Sequence, residues 1–192
     1  MADSEAYQCL FSICRDRHST RKISPRPVTP ALIDKIIELA SLSPYASNKK
    51  NWQILMVNDK ATIRKMADMV KQSGQTMAES IRSDFQENFS LYLQNFIHFQ
   101  TSPVLLIPTF RVVHPIANMM GKDESSFSQW ERDNSVKSIS CVCMLILLAA
   151  QSLGLSSCYM TGPLIAEQEI GDLIQIKPGQ RMAAVIPIGY GA

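Results

Sequence analysis

Apolar positions in the first third of the chain recur at helical spacing. Tyr7, Leu10, Phe11 and Cys14 share one stripe, which predicts a short amphipathic helix over 4–15. Pro25, Pro27 and Pro30 bracket an extended linker, because proline denies helix to the residue before it. Thr29 then suits an N-cap and Pro30 a first helical position, and Leu32, Ile33, Ile36, Ile37 and Ala40 keep helical spacing to about Leu42. Ser43 to Asn48 breaks that helix into a loop. Trp52 to Val57 is nearly continuously apolar, which predicts a strand buried on both faces. Helices are expected over 60–72 and 75–98, with Gly74 as the break. Pro103 to Phe110 reads as a second buried strand, and Pro108 within it argues for a strand end or a sheet edge. Residues 111–131 are mixed, with a loop at Gly121 to Glu124.

The strongest helical pattern runs over 134–153, where Val136, Ile139, Val142, Cys143, Ile146, Leu147 and Ala150 cover more than half the circumference. A helix that apolar is central or lies in an oligomer interface. Gly154 suits the position just past its end. A short extended piece over 157–160, a turn at Thr161-Gly162-Pro163, a short helix over 166–174 and a final strand over 182–189 complete the chain. Helices outnumber strands and separate them, so the expected class is α+β, in a single domain spanning 1–192.

Charge changes the picture more than composition does. Residues 1–71 hold 12 Lys and Arg against 7 Asp and Glu, whereas 72–192 hold 7 against 10. A basic first third suits a small anionic ligand and is too sparse for a nucleic-acid binder. No apolar run reaches 18 residues and the start has no signal-peptide pattern, so the expectation is a cytoplasmic protein without a membrane span. The five cysteines lack metal-ligand spacing with the three histidines, which implies reduced thiols and no metal centre. Cys141 and Cys143 are expected in the core, as are Trp52, Tyr159 and the aromatic residues Phe85, Phe89, Tyr92, Phe96, Phe127 and Trp130.

Arg17-His18-Ser19-Thr20-Arg21 is the main chemical candidate. Whether helical or extended, the stretch presents both guanidiniums on one face, and an extended chain adds the Ser19 hydroxyl between them. Guanidinium forks match phosphate oxygens and stay charged. Taken alone, these residues suit a grip for phosphate or carboxylate, and they equally suit a solvated basic turn after a helix.

Three separated segments together resemble the nitroreductase family of flavin enzymes. Arg17-His18-Ser19-x-Arg21, with Pro27-Val28 and a helix after it, resembles the family's opening R-x-S-x-[RK]. Ser43-Pro44-Tyr45-Ala46-Ser47-Asn48-Lys49-Lys50-Asn51-Trp52 resembles A-P-S-x-x-N-x-Q-P-W. Leu148-Ala149-Ala150 to Gly154-Leu155, Thr161-Gly162 and Ile186-Pro187-Ile188-Gly189-Tyr190 resemble the family's L-A-A-x-x-x-G-L-G, its flavin-facing turn and its last strand.

The resemblance implies a mostly antiparallel sheet flanked by helices and an intertwined homodimer with two FMN sites at the subunit interface. It assigns Arg17, His18, Ser19 and Arg21 to the flavin phosphate, ribityl chain and pyrimidine edge. It places Pro44, Tyr45, Ala46, Asn48 and Lys50 beside the ring from the partner subunit, and offers backbone N–H groups of Thr161 and Gly162 to the flavin. Tyr45, Lys50 and Asn51 depart from the family's serine, glutamine and proline, so Tyr45 would narrow the site or stack near the ring, and Lys50 would add a charge near the flavin's pyrimidine side or lie in solvent. Relatives that continue past the final strand add Lys and Arg to the grip; ending at Ala192 implies a weaker hold on FMN. The expected activity is FMN-dependent transfer of a hydride from NAD(P)H to a nitroaromatic, quinone or similar small electrophile, with no catalytic side chain required. The alternative is a flavin-binding protein without nicotinamide-driven turnover.

Overall fold

The strand Val104–Arg111 (β2) is the spine of the sheet in the computed structural model, which describes residues 4–45, 50–113, 119 and 125–192. Trp52–Val57 (β1) pairs antiparallel along one side of β2, with Leu55 opposite Ile107. Along the other side lie, end to end, Gln180–Met182 (β4) and Ile186–Gly189 (β5), and Ser156–Ser157 (β3) pairs with β5. Every strand pairing is antiparallel. Helix α1 is Glu5–Asp16, α2 Pro30–Ala40, α3 Lys60–Glu79 and α4 Ser83–Leu93, followed by a 3-10 helix over Gln94–Thr101. Helix α5 is Ser125–Ser152 and α6 is Glu167–Leu173, the latter preceded by a 3-10 turn at Gly162–Ala166.

Alternation along β2 divides the interior into two layers. Val104, Leu106 and Phe110 face one core with α2 and α5, where Ile33, Ile36, Ile139, Val142 and Ile146 pack with Ile186 and Ile188. Leu105 and Ile107 face the other core, with Ile63, Met66 and Val70 of α3, Ile170 of α6, and Cys158, Met160 and Val185. The α+β class and the mostly antiparallel sheet stand as the sequence implied.

Several local expectations are corrected. Pro108 is neither at a strand end nor at an edge. Between Met182 opposite Thr109 and Ile186 opposite Leu106, three residues face two, so the partner strand bulges at Pro108. There Pro108 accepts from the Ala183 N–H at 2.8 Å, and the bulge tolerates its missing donor. The same bulge splits the expected strand 182–189 into β4 and β5. Strand β1 is an edge strand, with Met56 exposed, rather than buried on both faces.

Gly74 does not break a helix: α3 runs through it, because Leu93 packs where its side chain would be, 2.9 Å from a built Cβ. The break comes at 80–82 instead. Helix α5 begins well before 134, and its length and composition would suffice to cross a bilayer; here it packs against α2 as a core helix. It ends at Gly154, whose φ of 71° is readily available only to glycine.

Cys143 and Trp52 are buried as expected, but Cys141 is exposed on the outer side of α5. Phe85, Tyr92 and Trp130 are also exposed, and Phe89 and Phe127 are half-buried, because neither α4 nor the start of α5 inserts into either core; Phe96, on the 3-10 helix, packs at the margin of the α3 core. Tyr159 is 38% exposed, and burial of the remainder pushes its pKa up. The expected loop at Gly121 to Glu124 lies outside the described residues.

Candidate functional site

The segment after α1 is stitched to the edge of the sheet. Arg17 caps α1 through its N–H to the Ile13 carbonyl, then leaves in extended conformation at φ −66°, ψ 122°. Ser19 bridges Ser157 of β3 in parallel, and the Thr20 N–H donates to the Ser157 carbonyl at 3.0 Å. In an extended chain, Arg17, Ser19 and Arg21 share one face. Cys158, the residue after β3, is buried beside this segment.

Burial pushes the Cys158 thiol up, while the Ser19 hydroxyl and the charges of Arg21 and Arg17 pull it the other way. Two guanidiniums and a hydroxyl therefore lie near enough to bias one thiol. Among the described residues, neither Arg17 nor Arg21 has an ion-pair partner; the nearby Asp16 is taken by Arg15 at 2.8 Å. Like charges held together without a counter-charge are unfavourable unless an anion joins them, so this geometry is that of an anion site. His98 adds no charge: burial, and then Arg21, hold its pKa below the ordinary histidine value. Its Nε2 lies 3.2 Å from Asn95 Oδ1.

His18 is exposed and turned back toward α1, with its Nδ1 3.0 Å from the Asp16 carbonyl, so its ring lies away from this cluster. Thr161 and Gly162 open the 3-10 turn that follows Met160, whose N–H and carbonyl pair with Val185. Gly162 has no room for a side chain: a Cβ would sit 2.4 Å from Phe96 Cδ1. The glycine therefore brings its backbone against an aromatic ring on the 3-10 helix after α4.

The loop residues are placed differently. Pro44 is exposed. Tyr45 packs against the α2–α5 core and stands 6.5 Å from Trp52, ring centre to ring centre. Its hydroxyl is buried without a hydrogen-bond partner, and burial pushes its pKa up to about 12. Lys50 Nζ lies over the Trp52 ring at 4.6 Å, so its charge is engaged in a cation–π contact. Asn51 ties the end of the loop to the sheet, donating from Nδ2 to the Arg111 carbonyl at 2.9 Å. Ala46 and Asn48 lie outside the described residues. Thus Arg17, Ser19 and Arg21 come together, Thr161 and Gly162 form a neighbouring wall beside Phe96, and the loop joins the other face of the sheet.

Sequence reasoning missed Cys158, His98 and Phe96. Their one signal was position: Cys158 stands three residues before the Thr161-Gly162 turn, and His98 and Phe96 stand six and eight residues before the buried strand β2.

Comparison with known proteins agrees with this frame. The rat iodotyrosine deiodinase 1 is 24% identical over 95% of this chain and 62% of its own length. The putative NAD(P)H nitroreductase YfhC of Bacillus subtilis is 24% identical over 96% of this chain and 85% of its own. The chain spans about three-fifths of the length of the deiodinases it matches first. In structure it is similar to a BluB-like flavoprotein from Clostridium difficile, with a TM-score of 0.84 and 20% identity over 99% of this chain and 91% of that one. It is also similar to a nitroreductase with bound FMN from Desulfitobacterium hafniense, with a TM-score of 0.73 and 16% identity over 100% and 90% of the two chains. A family described as the Nitroreductase family matches residues 14–190, nearly the whole sequence, and the chain belongs to that family.

Proposed function

We propose that the chain is an FMN-dependent oxidoreductase that takes reducing equivalents from NAD(P)H and delivers them to a small electrophile such as a nitroaromatic or a quinone. The observation that carries this reading is the placing of Arg17, Ser19 and Arg21 along one extended segment beside Cys158, with no ion-pair partner for either arginine among the described residues. These residues fit the phosphate-bearing end of FMN. Arg17 and Arg21 supply charge and multiple donors, and Ser19 supplies a hydroxyl on the same face. FMN, when bound, supplies the two-electron chemistry.

The chain's own groups position and polarise. The strand-like hydrogen bonds of Thr20 and Ser24 hold the arginines in place. Arg21 is a fixed positive charge that favours negative charge developing on whatever it faces. His98, held neutral, neither competes with Arg21 nor adds to it. The exposed Tyr7, Leu10 and Phe11 of α1, with Val136 and Met144 of α5, form apolar surface of the kind that a second copy of the chain would cover. A homodimer in the cytoplasm is therefore part of the reading.

The test is an absorbance spectrum of the purified protein, followed by anaerobic addition of NADPH or NADH. A yellow protein bleached by either donor is expected. A colourless protein that stays inert after FMN is added would remove the basis of the proposal. The deiodinase relatives favour a second reading, in which the flavin serves a halogenated aromatic and is not reduced by nicotinamide directly. It predicts bleaching by dithionite and reoxidation by an iodinated phenol, with no response to NADPH or NADH.

A further inference from the structure

A second cationic surface adjoins the grip and shares Arg21 with it. A groove of about 910 Å³ lies between α3, the segment 21–25, the turn 100–103 ahead of β2, and Gly191–Ala192. That volume falls within the range of small-molecule sites, roughly 300–1,000 Å³, and exceeds what a single phosphate needs. On the α3 wall, Lys60, Arg64 and Lys71 fall within about 40° of one another around the helix, at 3.6 residues per turn. Arg21 and Lys22 face them from the opposite wall.

The carboxylate side chain lining the groove is Asp68, and it is tied to Lys71 at 3.2 Å. Arg21, Lys22, Lys60 and Arg64 have no ion-pair partner among the described residues. A second, independent feature lies in the same lining. Ser102 is 3% exposed, and its hydroxyl has no hydrogen-bond partner among the described residues. Buried hydroxyls are ordinarily satisfied, so an orphan beside a cationic groove points to a polar ligand group. Every cation in the groove also comes from residues 1–71, the portion of the chain with the basic excess.

We propose that this groove is a second anion site that takes a diphosphate or polyphosphate group, with Lys22, Lys60 and Arg64 as its cations and Ser102 as a hydroxyl donor. The shared chemistry is phosphate. Its source is either the nicotinamide dinucleotide donor, in which case the proposal rests on the reading above, or a free polyphosphate anion.

The experiment is calorimetric titration of the purified protein, as isolated, with inorganic pyrophosphate, NAD+ and NADP+. The wild type is compared with Lys60→Gln/Arg64→Gln and with Ser102→Ala. Pyrophosphate binding that weakens at least tenfold in the double variant, with flavin absorbance per protomer unchanged, is the expected result. Ser102→Ala should weaken it by a smaller factor. A dinucleotide that binds more tightly than pyrophosphate and suffers the same loss identifies the donor as the source; equal affinity identifies a free anion. No pyrophosphate binding to the wild type, or the same affinity in the double variant, overturns the proposal. So does a folded double variant that loses its flavin, since the groove would then be part of the flavin grip. Both substituted cations are solvent-exposed, and circular dichroism checks that the variant is folded. Pyrophosphate binding reads the groove even if the protein proves colourless, so the two proposals fail separately.

Discussion

The two walls of the candidate site are held in different ways. The wall that carries the arginines is sewn to the sheet by backbone bonds: Thr20 to Ser157 at 3.0 Å, Ser24 to Tyr190 at 2.8 Å, and Ala192 to Lys22 at 3.1 Å. Ile23, between them, is 3% exposed. On the facing wall, the 3-10 helix is anchored by Phe99, fully buried in the α3 core, whereas α4 before it rests on side chains, with Leu93 on Gly74. Helix α4 buries no residue and has no side-chain N-cap, and it leaves Phe85, Leu91 and Tyr92 exposed. A charge must be placed accurately to hold an anion, which calls for the sewn wall. An aromatic cover resting on side chains can adapt to acceptors of different shape, because its local opening costs little buried surface.

Glycine substitutions break this comparison most sharply. On the sewn wall, a Cβ at Gly189 would stand 2.5 Å from Ile23 Cγ2 and 3.0 Å from Pro103 Cδ, and none of these can withdraw without lifting the segment off the sheet. Gly189→Ala is expected to cost about 3 kcal/mol, or roughly 6–12 °C in the thermal midpoint of a chain this long, and to loosen the arginines with it. Differential scanning calorimetry reads the midpoint.

Loss of charge comes next. Arg21→Ala should leave stability nearly unchanged and weaken FMN by about 2 kcal/mol, roughly thirtyfold, because a charge-assisted contact is removed. Flavin fluorescence titration checks it. If affinity is unchanged, the segment beside Cys158 is not the phosphate site.

Gly162→Ala presents a nominally similar collision, at 2.4 Å, but with the Phe96 ring on the facing wall. If that wall yields, the cost is about 1 kcal/mol, and Phe96→Ala in the same chain should relieve it. A cost equal to that of Gly189→Ala would mean that the facing wall is as rigid as the sewn one.

The extended run of the arginine segment was legible in the sequence and what packs beside it was not, for one physical reason. Arg17, Ser19 and Arg21 act through spacing within a single extended segment, and both readings of that stretch put their side chains on one face. The core of α5 and the strands likewise declares itself by periodicity. Cys158, His98 and Phe96 join the site only because β3 and the 3-10 helix are brought beside the segment by pairings remote in sequence. Gly74 misled for the same reason: a glycine required by the distant Leu93 looks, locally, like a helix break. Pro108 misled because the bulge that accommodates it belongs to the partner strand. Lys50 and Tyr45 were read as site residues from a motif; within one subunit their charge and ring lie against Trp52 and the α2–α5 core.

The smallest expected effect concerns the one titrating group that faces Arg21 from the far wall. Burial, and then the Arg21 charge, make His98 harder to protonate in the folded chain than in the unfolded one. Between the two pKa values the unfolded chain therefore binds more protons, and stability rises with pH. The neutral form's contribution is fully present above the ordinary histidine value of 6.5 and declines as pH falls through it, levelling off below the folded value. His98→Gln should remove this part of the slope in urea-unfolding midpoints measured from pH 7.5 down to 5, without altering the steeper carboxylate-driven fall at lower pH. Arg21→Ala should reduce the slope without abolishing it, since burial is the larger cause. If Arg21→Ala removed all of it, charge rather than burial would be what links the two walls.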